Sequence, residues 1–244
     1  MRKIHLILQR EIAAYFGSPL AYIFIVVFVT LSSAFTFYLG NFFAYGQADL
    51  QAFFSYHPWL FLLLAPAIAM RLWAEERKSG SIELLMTLPI SATQAVLGKF
   101  LAAWAFCGVA LAATFPLWIT VNVLGTPDNG VILASYVASL MVVGAFLSIG
   151  GAVSAMTSNQ VIAFVVSVTV CFLLMLSSLD IVLDVFRAWA PSQITDAISS
   201  VSVLNHFIGV TRGVISLADG IFFLSMIAMW LFITVIAVDQ KRGS

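Results

Sequence analysis

Residues 75–89 have the sequence EERKSGSIELLMTLP and separate two long apolar stretches of the chain. The first four of them, Glu75, Glu76, Arg77 and Lys78, carry charges of both signs. This mixture is not a simple polybasic patch for anionic lipid. Because charged side chains are costly in a hydrocarbon core, the segment is predicted to lie outside the membrane.

A short helix is predicted directly after this charged run, at residues 81–88. Gly80 and Ser81 break the chain and can cap the new helix, and Pro89 stops it. Glu83 lies in the first turn, where the helix dipole favours an anion. The apolar side of the helix is formed by Ile82, Leu85 and Met86. A plain connection between two spans remains the alternative, but two caps and an apolar face favour a lever that docks on a cytoplasmic partner.

The composition places the whole chain in a membrane. Hydrophobic residues make up 62% of the 244 residues and charged residues 9%, with a mean hydropathy of +1.06. Soluble domains carry about 25% charged residues. Several apolar runs reach the length that a helix needs to cross a bilayer. We therefore expect an all-α integral membrane protein, with residues 1–244 forming a single transmembrane domain.

Six transmembrane helices are predicted, with Pro66 kinking the second and Pro116 bending or ending the third. Ser91 and Gln94 have capping-box spacing at the start of the third. The predicted spans are residues 19–40, 57–74, 92–124, 131–156, 161–179 and 220–238. Residues 180–218 are too polar for a span and too few for a domain. They are expected to form short extracytoplasmic interfacial or re-entrant helices.

The N-terminal residues 1–16 are predicted to form an amphipathic interface helix in the headgroup plane. Its apolar face carries Ile4, Leu8, Ile12 and Tyr15, its polar face carries Arg2, Lys3, Gln9 and Arg10, and Leu6 and Glu11 break the pattern. Ser18 and Pro19 then form a cap and a first helical position for span 1.

The distribution of cations predicts the orientation. Six spans put nine cations on the side of the N-terminus, namely Arg2, Lys3, Arg10, Arg71, Arg77, Lys78, Lys99, Lys241 and Arg242. Arg187 and Arg212 fall on the other side. Since basic residues concentrate in cytoplasmic loops, both termini and the charged segment are predicted to be cytoplasmic.

Few residues could support chemistry of their own. No Gly-x-x-x-x-Gly-Lys-Ser/Thr loop for nucleotide phosphates is present in the sequence, and no Cys or His cluster has metal-binding spacing. The deepest ionisable residues, Lys99 and Arg71, are expected to reach the cytoplasmic headgroups. Cys107 and Cys171 are interpreted as buried thiols. An intramembrane enzyme or an ion-coupled carrier is therefore the least favoured function.

Small residues form a stripe on the predicted fourth span, at Gly144, Ser148, Gly151 and Ala155. Such a stripe lets another helix approach closely. Packing within the bundle is the favoured interpretation, and lining a pathway is the alternative.

Residues 75–91 resemble the signature Glu-x-x-x-Gly-(Ser/Thr)-x-Glu-x-Leu-x-(Thr/Ser)-x-Pro-(Ile/Val)-(Ser/Thr) of the ABC-2 type permease family, the membrane subunits of exporters with a type V fold. Residues 151–160 are similar to a small-residue segment of that family, although Ser158 stands at a position that is often basic. Residues 18–22 resemble the gliding-motility-associated permease branch, as do the extracytoplasmic residues His206, Phe207, Arg212, Gly213, Val214, Ile215 and Asp219.

The resemblance implies a coupling helix at 81–88 and a subunit that binds no cofactor itself, because ATP and Mg²⁺ are bound by separate ABC ATPase subunits. It implies a second permease copy or a related permease as partner, contact with membrane lipid, and possible contact with an extracytoplasmic auxiliary protein, but no nucleic acid. The expected location is the bacterial inner membrane. The expected function is export of a substrate driven by ATP hydrolysis. Transmission of force to an extracytoplasmic partner without transport is the alternative.

Overall fold

The structure is a computed structural model that describes residues 2–45, 48–80, 90–187, 191–214 and 216–240. Within these ranges the chain is all-helical. The helices are α1 (Arg2–Phe16), α2 (Pro19–Ala34), α3 (Phe42–Tyr45), α4 (Gln51–Ser55), α5 (His57–Ala69), α6 (Arg71–Ser79), α7 (Ala92–Ala112), α8 (Phe115–Leu124), α9 (Asn129–Met156), α10 (Gln160–Leu176), α11 (Asp180–Arg187), α12 (Ser192–Ser200), α13 (Val203–Thr211) and α14 (Leu217–Asp239), with a π-helical turn at Phe35–Leu39 after α2.

Five helical stretches in the described residues are long and apolar enough to cross a membrane. They are Ala21–Leu39, His57–Ser79, Ala92–Leu124, Asn129–Met156 and Leu217–Asp239. Helix α10, which corresponds to the predicted span 161–179, is apolar but has only 17 residues. The chain is thus a multi-pass membrane protein with five candidate spans.

Local sequence signals explain where several of these helices begin and end. Ser91 accepts a hydrogen bond from the Gln94 amide while the Gln94 side chain accepts one from the Ser91 amide, so the predicted capping box is present. Pro116 lies in the first turn of α8, after a break at Ala113 and Thr114 that splits the third span. Proline fits a first turn because its missing N–H would have no partner there.

The second span is longer than predicted. The sequence predicts a span at residues 57–74 that ends before the first charges, but α6 continues the helix to Ser79. Gly80 then ends the helix with a φ of +71°, a conformation that a residue without Cβ adopts at little cost. The charged residues Glu75–Lys78 are therefore part of a helix that continues from the membrane span.

Helix α9 lies at the centre of the bundle and packs against α5, α7, α10, α13 and α14. Its middle is fully buried at Ala145, Phe146, Leu147 and Ile149. By contrast, α2 and α10 leave many apolar side chains exposed, among them Ile23, Val26, Val161 and Val165. In a membrane protein such exposed apolar faces contact lipid or another membrane chain.

The small residues predicted on α9 pack inside this bundle. A Cβ on Gly144 would come within 2.8 Å of Trp104 Nε1, and Ser148 and Ala155 are fully buried. The closest approach is at Gly150, next to the predicted stripe, where an added Cβ would lie 2.4 Å from Ala69 Cβ. The stripe thus allows close helix packing within one chain.

Candidate functional site

The predicted coupling residues divide between the described helix α6 and the segment after it. Glu75, Glu76, Arg77, Lys78 and Gly80 are described, and only Glu76 and Arg77 among them are partly buried. Ser81, Ile82, Glu83, Leu85 and Pro89, together with the predicted helix at 81–88, lie outside the described residues. The arrangement around α6 is therefore the described part of the predicted site.

Lys99 of α7 is the centre of that arrangement. It is 4% exposed, so the expectation that its side chain reaches the headgroups is wrong. Its Nζ lies 2.8 Å from Glu76 Oε1 of α6 and 3.2 Å from Glu11 Oε1 of α1. The ammonium also lies 5.6 Å from the ring centre of Trp73, within cation–π range. A buried cation thus joins α1, α6 and α7.

Arg10 completes a cluster of four charges that sum to zero, which we call the Lys99 cluster: Arg10, Glu11, Glu76 and Lys99. Arg10 Nη2 lies 2.6 Å from Glu11 Oε1 and 3.9 Å from Glu76 Oε1. Arg10 is exposed while the two carboxylates are largely covered. Because each carboxylate faces cations, their removal from water is compensated.

The cluster shifts the pKa values of its members on α1. Burial alone would raise the pKa of Glu11, but the Lys99 ammonium and the Arg10 guanidinium outweigh it and lower that pKa below its ordinary value. The hydrogen bond to Glu11 raises the pKa of Arg10. Both groups are therefore held in their charged forms.

Packing fixes α1 along α7 on both sides of the cluster. A Cβ on Gly98 would lie 2.6 Å from Ile7 Cγ2, so α1 approaches α7 at a point where only glycine fits without a shift. One helical turn beyond Glu11, the Tyr15 and Phe106 rings are stacked with centroids 5.2 Å apart. The inward face of α1 thus contacts protein, a contact that the amphipathic pattern of the sequence did not predict.

The residues predicted for the interface helix fall on both faces of α1. Ile4, Leu8 and Ile12 are half-buried, Lys3 and Arg10 are exposed, and the side chain of Arg2 is not described. Ile7 is the most buried position of the helix. Glu11 was predicted only as a break in the amphipathic pattern, and its position opposite Lys99 explains that break. This irregularity and the depth of Lys99 in its span were the signals in the sequence that pointed to the cluster.

Ser154 of α9 holds the start of α6. The first amides of a helix have no partner within the helix, and no side chain of the preceding residue Met70 supplies one. Ser154 Oγ instead accepts hydrogen bonds from the Trp73 amide at 3.2 Å and the Ala74 amide at 3.0 Å, and donates to the Met70 carbonyl. A buried hydroxyl from another helix thus acts as the cap, a role that sequence patterns do not reveal.

The predicted extracytoplasmic residues meet at the other end of the bundle. His206 Nδ1 lies 2.6 Å from Asp219 Oδ1 and Nε2 lies 3.0 Å from the Ser200 carbonyl oxygen. The ring stacks on Phe222 at 4.0 Å. Both ring nitrogens thus face acceptor oxygens. The contacts tie α12, α13 and α14 together.

The remaining predicted residues of that motif have local structural roles. Phe207 is 1% exposed and belongs to the core. Gly213 has a φ of +86° and follows α13, where the Val214 amide bonds back to the Gly209 carbonyl. This is the turn that commonly ends a helix. Arg212 lies beside Asp49 and Asp128 at a cavity of about 200 Å³.

The described residues hold no group of three or more His, Cys, Asp or Glu side chains that could bind a metal ion. Cys107 and Cys171 are free and buried. The polar chemistry of the described chain is thus that of ion pairs and caps which join helices.

Comparison with known families gives one match over almost the whole chain. The model of a family described as "ABC-2 family transporter protein" matches residues 18–239. A search of curated proteins finds no match.

Proposed function

The chain belongs to the ABC-2 family of transporter membrane proteins, and from this premise we propose that it is the permease subunit of an exporter driven by a separate ABC ATPase. Membrane subunits of this family lack ATPase domains and generally pair with an ABC ATPase. The part of the chain that the family model matches, residues 18–239, is a membrane domain. The nucleotide chemistry therefore belongs to the partner, and this chain converts the movement of that partner into movement of its own helices.

The observation that carries the proposal is the Lys99 cluster. It connects α1, α6 and α7, and α6 leads directly into the segment 81–88 that resembles a coupling helix. A push on that segment would reach α6 first, then α1 through Lys99, and the bundle through Ser154. A buried ion pair transmits such a push because separating its charges in a poorly hydrated site is costly.

The proposed arrangement has both termini and the segment 75–91 in the cytoplasm of a bacterium, with residues 180–218 outside. Two permease copies, or this chain and a related permease, would meet through the exposed apolar faces of α2 and α10. ATP binding by the ATPase pair would move these faces relative to one another. The resemblance to the gliding-motility-associated branch supports the role of a permease subunit but does not indicate a substrate.

The test is co-purification from the native cells of the tagged chain with an ATP-binding subunit. We expect the double variant Glu83→Lys/Leu85→Asp to lose that subunit, because it reverses a charge and adds another on the apolar side of the segment. The matched control is Asp196→Lys, an exposed acid on the other side, which should retain the subunit. Retention by the double variant, or a chain that is active without any ATPase, would contradict the docking role.

Export and force transmission differ in a second measurement. Vesicles that contain the permease and its ATPase should accumulate a substrate when ATP is supplied on the ATPase side. ATP hydrolysis that depends on Glu83 and Leu85 but moves no substrate would favour transmission of force to an extracytoplasmic partner.

A further inference from the structure

A cavity of about 580 Å³ lies beside the Lys99 cluster, between α1, α2, the junction of α5 and α6, and α7. Ligand sites for small molecules typically measure about 300–1,000 Å³. The walls are apolar at Ala21, Phe24, Ile68 and Phe106, and a charged rim carries Glu11, Arg71, Glu75 and Lys99. The cavity is therefore amphipathic, with one charged and one apolar part.

The apolar part opens towards the lipid. Ile23 and Val27 of α2 line the cavity and are also exposed on the outer surface of the span, with 57% and 38% of their areas free. Since α2 belongs to a candidate membrane span, a hydrocarbon chain can enter sideways from the bilayer. Such an entry exchanges one apolar surrounding for another and requires no passage through water.

Of the two cations on the rim, Arg71 is the one with N–H donors available to a ligand. Lys99 is buried and already contacts two carboxylates. Arg71 is 44% exposed, and its ion pair with Glu75 has an Nε–Oε2 distance of 3.6 Å, longer than the 2.7–2.9 Å or so of a charge-assisted hydrogen bond. A guanidinium carries five N–H donors in a planar fork that fits phosphate oxygens.

We propose that this cavity binds one phospholipid of the adjacent leaflet, with an acyl chain among Phe24, Ile68 and Phe106 and the phosphate on Arg71. The apolar lining and lateral opening select an acyl chain, and the free donors of Arg71 select an anionic headgroup. Glu75 competes with the phosphate for the same guanidinium. The site goes beyond the proposed function, because it requires neither the ATPase nor any direction of transport.

The test measures lipid binding to the purified full chain by native mass spectrometry in a non-ionic detergent. The probes are dioleoyl phosphatidylglycerol, dioleoylglycerol with the same chains but no phosphate, and inorganic phosphate. We expect one phosphatidylglycerol per chain, at least about tenfold weaker binding of dioleoylglycerol, and no competition by inorganic phosphate. Equal binding of the two lipids, or displacement by phosphate alone, would overturn the proposal.

Variants of the rim give effects of opposite sign. Arg71→Gln should weaken phosphatidylglycerol binding about tenfold or more, and Glu75→Gln should strengthen it because the competing carboxylate is removed. Arg187→Gln is the matched control, since Arg187 is an exposed, acid-paired arginine of α11. If Arg71→Gln binds as tightly as the control, or if Glu75→Gln weakens binding, the phosphate does not lie on Arg71.

Filling the cavity should block the lipid without touching a charge. Ala67→Phe places a ring in the cavity from α5, and Ala14→Phe does so from α1 if the first variant fails to fold. Each folded variant should lose both the phosphatidylglycerol and the dioleoylglycerol peaks. Unchanged binding in a folded variant would show that the lipid lies elsewhere.

Discussion

Lys99 is the residue that joins α1, α6 and α7. A buried ammonium is costly unless paired, and here two carboxylates and the face of Trp73 surround it. Replacing a complete buried pair by apolar groups can be neutral, but removing one partner leaves an uncompensated charge. The cluster therefore makes the contact between α1 and α6 specific, because none of its three covered members, Glu11, Glu76 and Lys99, can be lost cheaply.

Loss of the Lys99 charge should destabilise the chain strongly. Lys99→Met leaves Glu11 and Glu76 with the exposed Arg10 as their one cation in the cluster, and we expect a loss of about 3–5 kcal/mol in the free energy of unfolding. The measurement is unfolding by SDS in mixed micelles. Lys78→Met removes an exposed lysine of α6 and should cost under about 0.5 kcal/mol. Equal losses in the two variants would contradict the buried pairing.

Acid should weaken the cluster through Glu11. Because its folded-state pKa is lowered, the stability that Glu11 contributes is fully present above its ordinary pKa of about 4.3 and is lost as the pH falls through the lowered value. The melting temperature of the wild type should therefore fall on acidification below about pH 4.3. Glu11→Gln should start lower and show a smaller decrease. A parallel decrease in both proteins would exclude Glu11 as the titrating group.

At the scale of the helix, the sequence predicts where helices begin and end better than it predicts which helices contact one another. The capping box at Ser91, the break near Pro116 and the break at Gly80 all depend on a few adjacent residues, and each is present in the structure, although the helix before Gly80 is longer than predicted. Ser154, Lys99 and Glu11 act between helices that are tens of residues apart in sequence. Their partners depend on how the bundle packs, which a local pattern does not contain.

Because α1 contacts α7 at Gly98 and not at Gly108, alanine substitutions at these two positions of α7 should have different effects on stability. Gly98→Ala would press its Cβ against Ile7 Cγ2 and should cost about 1–3 kcal/mol, as overpacking does. In an Ile7→Ala background the same change should cost less, because the colliding methyl group is gone. SDS unfolding of the four proteins in this double-mutant cycle measures the coupling.

Gly108→Ala is the matched control. Its Cβ would lie 3.7 Å from Leu140 Cδ1, an ordinary contact, so the higher helix propensity of alanine should make the change neutral or stabilising by up to about 1 kcal/mol. If Gly98→Ala behaves like Gly108→Ala, α1 does not pack closely on α7.

For the whole molecule, the topology depends on the short helix α10. Its 17 residues give a length of about 26 Å at 1.5 Å per residue, somewhat less than a hydrocarbon core of about 30 Å. A thinned bilayer can accommodate this difference. We propose that α10 crosses the membrane, which gives six spans and places α11, α12 and α13 opposite α1.

Cysteine labelling in intact cells tests this topology. Ser158→Cys lies in the link before α10 and Asp196→Cys lies in α12, while the native Cys107 and Cys171 are buried. An impermeant maleimide should label Asp196→Cys from outside and Ser158→Cys only after the cells are opened. Labelling of both cysteines from the same side would show that α10 does not cross.

We propose that the Lys99 cluster makes α1 and α6 move as one unit when the ATPase acts. The most direct measurement is the distance between spin labels at Gln9→Cys of α1 and Lys78→Cys of α6, two exposed positions, in the reconstituted complex with labelled protomers diluted by unlabelled ones. We predict one narrow distance distribution that is the same with and without trapped ATP, and a broad distribution when Lys99→Met is added. A distance that changes on ATP trapping in the wild type, or that stays narrow in Lys99→Met, would contradict the claim.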